Sequence, residues 1–401
     1  MNPSTDQLKA IDETIDEREV LRLSRELIRI PSVYAKEHEI SRRISAILDL
    51  WGFEPSEVAV EGYGSDVVAS HGKKGLPAFV FNGHMDTVEV MEGWKHDPFG
   101  ASVEDGWLYG LGSLDMKCGL ACMMLAFRTL AENRLLKNHR LDLQAVSGEE
   151  FDGSGTLALI SKGMFRGARA VIVGEGFGGR RAVTIGRRGG AYYDIDVTGK
   201  SAHGATPHLG INAVVDASRI VGSLDRIKLR QSKGVIGDDF RPLTEAQTVL
   251  KMSGGTDSLS VPETCSILVY RSTIPGGPHD VSKEMHGAIR RASPKSRVKM
   301  KLRSGHGQWY HPYMADPDSQ LVRAAHESLR HYSGSSPLLV CGVSEADDNL
   351  IARFAKVPVL CFGPGESGAR ARYHQAEESI RVDQLGMFVK SYCAAAIMMD
   401  R

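Results

Sequence analysis

Short apolar runs alternate with helical patterns in the first part of this chain, and the runs lead into polar, glycine-containing loops. The runs that read as buried strands lie at 78–81, 141–146 and 168–173. The helical patterns lie at 21–30, 37–51 and 116–131. This alternation predicts an α/β fold whose sheet is mostly parallel. In such a sheet, functional side chains gather beyond the carboxyl ends of the strands.

The pattern changes after residue 190, where strands show the period-2 alternation of half-exposed sheets. These alternating strands lie at 192–197, 248–252, 266–271 and 298–302, with a helix at 212–224. We therefore expect a small α+β domain at 191–304, inserted into an α/β domain formed by 1–190 and 305–401. A chain of 401 residues is long enough for two such domains.

Composition narrows the class of protein. Lys+Arg and Asp+Glu both number 49, so the formal net charge is zero, whereas a nucleic-acid binder is expected to carry a basic excess. We find no apolar run of roughly 18 residues and no apolar signal segment at the start. The six cysteines form no CxxC pair. We expect a cytoplasmic protein with reduced thiols that binds neither nucleic acid nor membrane.

Potential metal ligands follow the predicted strands or lie in glycine-containing loops. They are His84 and Asp86, Asp115, Glu149 and Glu150, Glu175, and His374. Each has an ordinary explanation when taken alone; Glu149–Glu150, for example, resembles a solvated acidic pair. Their common place at one sheet edge favours a metal site, and imidazole with carboxylate suits zinc, manganese or cobalt.

Five segments resemble, in order, the motifs of one metallopeptidase family. The segments are FNGHMDTV, GLGSLDMKCG, SGEEFDGSGT, VGEG and RYHQAEE. The family contains glutamate carboxypeptidase, acetylornithine deacetylase, succinyl-diaminopimelate desuccinylase and the aminoacylases, and the resemblance runs from about residue 21 to the C-terminus. It implies a hydrolase in which two bridged divalent cations activate a water to cleave an amide C–N bond. Zinc is the expected metal, with manganese and cobalt as alternatives.

The resemblance also assigns roles to the candidate residues. One ion is expected on His84 and Glu175, the other on Glu150 and His374, and Asp115 is expected to bridge them. Glu149 matches the general base, which must stay off the metal to accept a proton. Asp86 matches a carboxylate that orients His84 through its other ring nitrogen. The family also has a cis peptide after the bridging aspartate, here Asp115–Met116.

The inserted domain resembles the family's lid and dimerisation domain. His203 matches a histidine that reaches the neighbouring subunit's site in a homodimer and polarises the scissile carbonyl. Arg271 resembles a substrate-carboxylate-binding arginine. Leu259 stands at a position where members of the family often have an asparagine. Leucine has no amide group, so the pocket contact that the asparagine side chain makes in the family is not expected here.

The loop before His374 is expected to contact substrate through Gly363 and Arg372. Arg372 and the pair Arg187–Arg188 supply positive charge, which supports the hypothesis of an anionic small-molecule substrate.

Several functions stay open. The leading prediction is hydrolysis of an N-acyl amino acid that bears a carboxylate. The alternatives are a dipeptidase or carboxypeptidase, hydrolytic deamination of an aromatic amine, and a binding protein without catalysis. Residues 174–179 fit GxGxxG, but the strand pattern that follows excludes a dinucleotide site. His326 and His331 are five residues apart, so they do not share a helix face as in HExxH.

Overall fold

The computed structural model of the protein describes residues 3–276, 280–303 and 310–400. Its helices are α1 Thr5–Thr14, α2 Glu17–Ile28, α3 His38–Leu50, α4 Lys117–Glu132, α5 Ser154–Ser161, α6 Ala213–Asp225, α7 Val281–Arg291, α8 Gln320–Ser333, α9 Asp347–Leu350 and α10 Leu385–Met399. Its strands up to residue 198 are β1 Ser56–Val58, β2 Asp66–His71, β3 Ala78–His84, β4 Ser102–Glu104, β5 Trp107–Tyr109, β6 Arg140–Val146, β7 Ala168–Val173, β8 Ala182–Arg187 and β9 Gly189–Thr198. The later strands are β10 Gln231–Ile236, β11 Pro242–Thr244, β12 Gln247–Gly254, β13 Thr264–Thr273, β14 Arg297–Leu302, β15 Tyr313–Met314, β16 Leu338–Gly342, β17 Val359–Cys361 and β18 Ser379–Arg381. Across these three ranges, no helix has the length and apolar character needed to cross a membrane.

The chain divides into two compact units. One unit carries the candidate metal ligands and is called the catalytic unit below; it comprises Met1–Arg187, Ile236–Arg241 and Met314–Arg401. The inserted unit comprises Arg188–Val235 and Pro242–Tyr313. The expected boundary at 304/305 lies outside the described residues. Residues 236–241 join the catalytic unit because the Asp238 N–H donates to the Cys341 carbonyl at 3.0 Å, beside a parallel bridge between Gly237 and Cys341.

A nine-stranded sheet forms the centre of the catalytic unit. Its order is β1-β2-β6-β3-β7-β17-β8-β15, with β16 also paired to β8. The pairs β3–β6, β3–β7, β7–β17 and β8–β16 are parallel. Every residue of β3 is buried, as expected for a strand covered on both faces. The predicted α/β fold with a mostly parallel sheet is confirmed.

Four neighbouring strands of this sheet bring the candidate residues to one edge. In sheet order these strands are β6, β3, β7 and β17, which are mutually parallel along the sheet. His84 is the last residue of β3, Glu149–Glu150 follow β6, and Glu175 follows β7. The loop after β17 leads to His374, so the carboxyl ends of adjacent strands supply most of the site.

The inserted unit contains an antiparallel sheet of order β12-β13-β9-β14. Side chains of β9 alternate between buried and half-exposed positions along most of the strand. Its buried side pairs with helices α6 and α7 in a separate apolar core that includes Ile195, Ile220 and Met285. The Asn212 side chain caps α6 by accepting the N–H groups of Val214 and Val215. The predicted α+β insertion is confirmed.

Candidate metal centre

His84, the last residue of β3, is buried. Its Nδ1 is 3.1 Å from the backbone carbonyl oxygen of Asp86, and its Nε2 is 3.0 Å from Oδ1 of Asp115. A proton on Nδ1, donated to that carbonyl, leaves the Nε2 lone pair directed toward the site. Fixing one ring nitrogen in this way selects the tautomer that a metal ligand needs.

Asp115 connects the two histidines. Its Oδ1 faces His84, and its Oδ2 lies 3.3 Å from Nε2 of His374. Glu378 fixes the backbone that carries this aspartate, because its carboxylate accepts the N–H groups of Leu114 at 2.7 Å and Asp115 at 3.2 Å. The peptide between Asp115 and Met116 is cis, as expected.

Glu149 and Glu150 are held by Asp86 through their backbone. The Asp86 carboxylate accepts the Glu149 N–H at 3.3 Å and the Glu150 N–H at 3.0 Å. The Asp86 carboxylate was predicted to orient His84 through Nδ1. The Asp86 atom nearest to Nδ1 is instead the main-chain oxygen, and the Asp86 carboxylate is farther away at 3.6 Å. Asp86 orients the loop after β6 as well as the imidazole.

The two glutamates point to different places, as expected of adjacent residues. Oε2 of Glu150 is 2.9 Å from Nε2 of His374, whereas Oε2 of Glu149 is 3.9 Å from Nε2 of His84. Oε1 of Glu150 is buried and has no hydrogen-bond partner among the described residues.

The two carboxylate oxygens of Glu175 lie in different environments. Oε2 accepts a hydrogen bond from Nη2 of Arg187 at 2.6 Å. Oε1 is buried and, within the described ranges, meets no hydrogen-bond donor. A buried oxygen without a donor is costly unless a cation meets it.

Two clusters result, and they share one residue. The ligand atoms of His84, Asp115 and Glu175 lie within 4.8 Å of one another, and so do those of Asp115, Glu150 and His374. Glu150 and Glu175 each contribute the unpartnered buried oxygen described above. Imidazole and carboxylate donors around a shared aspartate fit two divalent cations.

The electrostatics of the site are those of crowded carboxylates. Burial raises the pKa of the Glu149 carboxyl well above its usual range, and the carboxylates of Glu175 and Asp347 add to this rise. Burial also raises the pKa of Glu175 to about 7, although Arg187 acts in the opposite direction. Burial acts on Asp115 in the same way, but the hydrogen bonds of the two histidines hold its pKa below its usual range. Bound cations would relieve this repulsion.

Two residues of the loop before His374 were predicted to contact substrate, and they lie in different environments. Arg372 is exposed, and its Nη1 lies 3.4 Å from the Ala376 carbonyl. Gly363 is buried, and a Cβ atom added there would lie 2.0 Å from the Gly174 carbonyl oxygen. Gly363 thus allows two backbone segments to pack closely beside the site, which is a packing role.

Arg187 does not meet solvent, contrary to the expectation that it supplies charge for a substrate. Its side chain is fully buried, and its Nε and Nη2 donate to Asp348 and Glu175, each at 2.6 Å. Its positive charge is therefore directed to carboxylates of its own chain.

Arg271 is also buried, within the inserted unit. Its Nη2 lies 2.7 Å from Glu245 and 3.0 Å from Glu284, and its Nη1 donates to the Ser272 carbonyl at 2.7 Å. Its two terminal nitrogens contact internal partners, so the geometry gives no support to its expected contact with a substrate carboxylate.

His203 lies on an exposed loop of the inserted unit. Its Nδ1 accepts the Ala205 N–H at 3.1 Å, which leaves Nε2 as the outward nitrogen. Leu259 is 71% exposed and packs against Gly204, the residue after His203. The position where an asparagine is usual thus lies beside His203.

A cavity of about 460 Å³ opens next to the ligand loops of the catalytic unit. Phe177, Phe240 and Tyr373 contribute aromatic rings to its lining. The rings of Phe177 and Tyr373 lie 4.5 Å apart, and the Tyr373 hydroxyl donates to the Gly176 carbonyl at 3.1 Å. Tyr373 precedes His374, and Phe177 follows Glu175 by two residues, so two of these rings belong to the loops that carry candidate ligands.

Several residues that hold the candidate ligands or their neighbours in place were not predicted from the sequence. Glu378 lies four residues after His374 inside a recognised segment, so its position was visible but its backbone contacts were not. Asp347 accepts the Thr156 hydroxyl at 2.8 Å, and Asp348 pairs with Arg187. The Asp347–Asp348 pair carries no local pattern that distinguishes it from an ordinary helix start.

Comparison with known proteins gives consistent results. The sequence profile described as Peptidase family M20/M25/M40 matches residues 80–397. A probable succinyl-diaminopimelate desuccinylase of Staphylococcus epidermidis is 25% identical, over 94% of this chain and 97% of its own length. The structure of aminopeptidase PepT from Bacillus cereus superimposes with a TM-score of 0.77 at 20% identity, covering 97% of this chain and 100% of that one. The Bacillus subtilis YXEP protein, described as a dinuclear metal-binding peptidase, gives a TM-score of 0.69 at 14% identity, covering 95% and 97%.

Proposed function

The chain belongs to peptidase family M20/M25/M40, and we propose that it hydrolyses the amide bond of a carboxylate-bearing N-acyl amino acid at a two-cation centre. Family membership and the desuccinylase relatives make it a hydrolase of amide bonds, as predicted. The observation that carries the finer proposal is the pair of ligand clusters that share Asp115, with Glu149 beside them.

Five residues would hold the cations. His84 and Glu175 would bind one ion, Glu150 and His374 the other, and Asp115 both. Zinc is the proposed metal, with manganese and cobalt as alternatives. Divalent cations in such a site supply Lewis acidity, which lowers the pKa of water and polarises a carbonyl.

Glu149 would move the proton. Its carboxylate lies 3.9 Å from His84 and is outside both ligand clusters, so it is available to accept a proton from the attacking water. The water oxygen adds to the amide carbon, the C–N bond breaks, and Glu149 returns the proton to the leaving nitrogen. The products are a carboxylic acid and a free amine.

The exposed position of Arg372 supports its proposed contact with a substrate carboxylate. Arg372 lies two residues before His374, a candidate ligand of the second cluster. For His203 we propose action across a homodimer formed through the inserted unit, with the exposed imidazole reaching the neighbouring subunit's substrate.

The aromatic cavity favours a second candidate, hydrolysis of peptides that carry an aromatic side chain. Two of its rings, Phe177 and Tyr373, belong to the loops that also carry Glu175 and His374. An aromatic or apolar group of a substrate bound at the clusters would pack against these rings.

A substrate panel tests both candidates. Metal-stripped protein reloaded with zinc, manganese or cobalt is assayed against acetyl, succinyl and aromatic-acyl amino acids, dipeptides and aryl amines. Metal-dependent release of an amino acid from N-acyl substrates supports the first proposal, and preference for aromatic dipeptides supports the second. Turnover of aryl amines alone would contradict both.

A further inference from the structure

Arg187 stands between a candidate ligand and a second buried acid. It is the last residue of β8, and its guanidinium is fully buried. Nη2 donates to Oε2 of Glu175 and Nε donates to Oδ1 of Asp348, both at 2.6 Å. Charge-assisted bonds of this length are among the strongest in proteins.

Other contacts hold the guanidinium in one orientation. Nη1 donates to the Ser344 hydroxyl at 3.1 Å, and Nη2 lies 3.4 Å from Sγ of Cys361. The ring of Phe177 lies 5.4 Å from the guanidinium carbon. A group fixed on several sides can fix its own partner in turn.

The partner is Glu175, and only one of its oxygens is used. Oε2 is held by Arg187, whereas Oε1 belongs to a buried carboxylate clustered with His84 and Asp115 and meets no donor in the described part of the chain. Binding Oε2 therefore determines which oxygen is presented to the cluster.

We propose that Arg187 is a positioning residue that holds Glu175 with a single oxygen directed to the His84 cluster, and that Asp348 holds Arg187 in turn. This inference rests on the proposed metal centre and deepens it. It predicts that the affinity of one cation depends on a residue that binds no metal.

A purely structural ion pair would behave differently. Arg140 and Asp142 form a comparable double contact, at 2.8 and 2.6 Å, at the start of β6. That is the opposite end of the strand from Glu149 and Glu150. Removing the Arg140 contact should change stability alone, so Arg140→Lys is the matched control.

The test is a titration of metal-stripped protein with cobalt(II), followed by its visible absorption and by calorimetry. Glu175→Gln first identifies which of the two equivalents belongs to the His84 cluster. Arg187→Lys keeps the charge but loses the fork, and Asp348→Asn keeps the size of Asp348 but removes its charge. Thermal melting of each metal-free variant shows that it is folded.

We expect Arg187→Lys and Asp348→Asn to weaken that same equivalent by about 10- to 100-fold, the usual effect of losing a partner of a metal ligand. The other equivalent and the Arg140→Lys protein should bind as wild type. Wild-type affinity for both equivalents in the two variants would overturn the inference, and so would equal weakening of both. If the wild-type protein bound no cation, the proposed function itself would fail.

Discussion

Replacing Glu149 by glutamine should abolish turnover while leaving the metal centre intact. The carboxylate lies 3.9 Å from His84, is 11% exposed and belongs to neither ligand cluster. Glutamine keeps the size of the side chain, and the backbone N–H of residue 149 can still donate to Asp86. The substitution thus removes a proton acceptor and little else.

The expected loss follows from that single change. A positioned general base contributes about 10²–10⁴-fold to rate, which corresponds to roughly 3–5 kcal/mol of transition-state stabilisation. We expect kcat to fall by at least this factor, since the leaving nitrogen also loses its proton donor. Cation stoichiometry and KM should stay close to wild type.

The assay combines steady-state kinetics with metal content measured on the same preparations. Glu150→Gln is the matched control, because it alters a ligand of the second cluster and should lose one equivalent of cation together with turnover. A Glu149→Gln protein that keeps more than about a tenth of wild-type kcat would refute the role of Glu149, because a base worth at least 10²-fold would be missing. Loss of a cation from that variant would instead make Glu149 a ligand.

Three further predictions concern stability, specificity and assembly. His96 lies between Glu377 at 2.9 Å and Glu104 at 3.3 Å; burial opposes its protonation, but these carboxylates raise its pKa. The stability that protonated His96 adds should therefore be complete below about pH 6.5 and be lost as the pH rises through the raised pKa of the folded state. Urea unfolding of His96→Phe, which keeps the stacking on Tyr109, should show this difference from wild type. A difference in the free energy of unfolding that does not depend on pH would contradict the prediction. Phe240→Ala should raise KM for aromatic substrates by about tenfold, from lost apolar burial, with acetyl substrates unaffected; equal effects on both would exclude Phe240 from the substrate cavity. Sedimentation equilibrium should give twice the monomer mass, and a monomer would remove the proposed role of His203.

The fold was predictable where one element carries a clear pattern. The continuous apolar run of β3 matches a strand that is buried on both faces, and the alternation in β9 matches a strand with one buried and one half-exposed face. The rule that parallel strands deliver their following residues to one edge then brought His84, Glu149–Glu150 and Glu175 together. The strand β16, five residues with only its last three buried, shows no such pattern and was missed.

Contacts between side chains distant in sequence were not predictable. Arg187 and Asp348 are separated by 161 residues, and Glu378 and Asp115 by 263. Nothing in their local sequence distinguishes them from surface charges, which is why Arg187 was expected to face a substrate. Arg271 illustrates the same limit, because its partners Glu245 and Glu284 are visible only once β13 and α7 are placed.

We propose that amide hydrolysis depends on cations held by the two clusters that share Asp115. The most direct measurement is turnover of an N-acyl amino acid as a function of cation added to metal-stripped protein, with binding followed in parallel. We expect no turnover without cation and a maximum at two equivalents per chain. Turnover that survives complete removal of metal, or tight binding of two cations without hydrolysis of any amide, would contradict it.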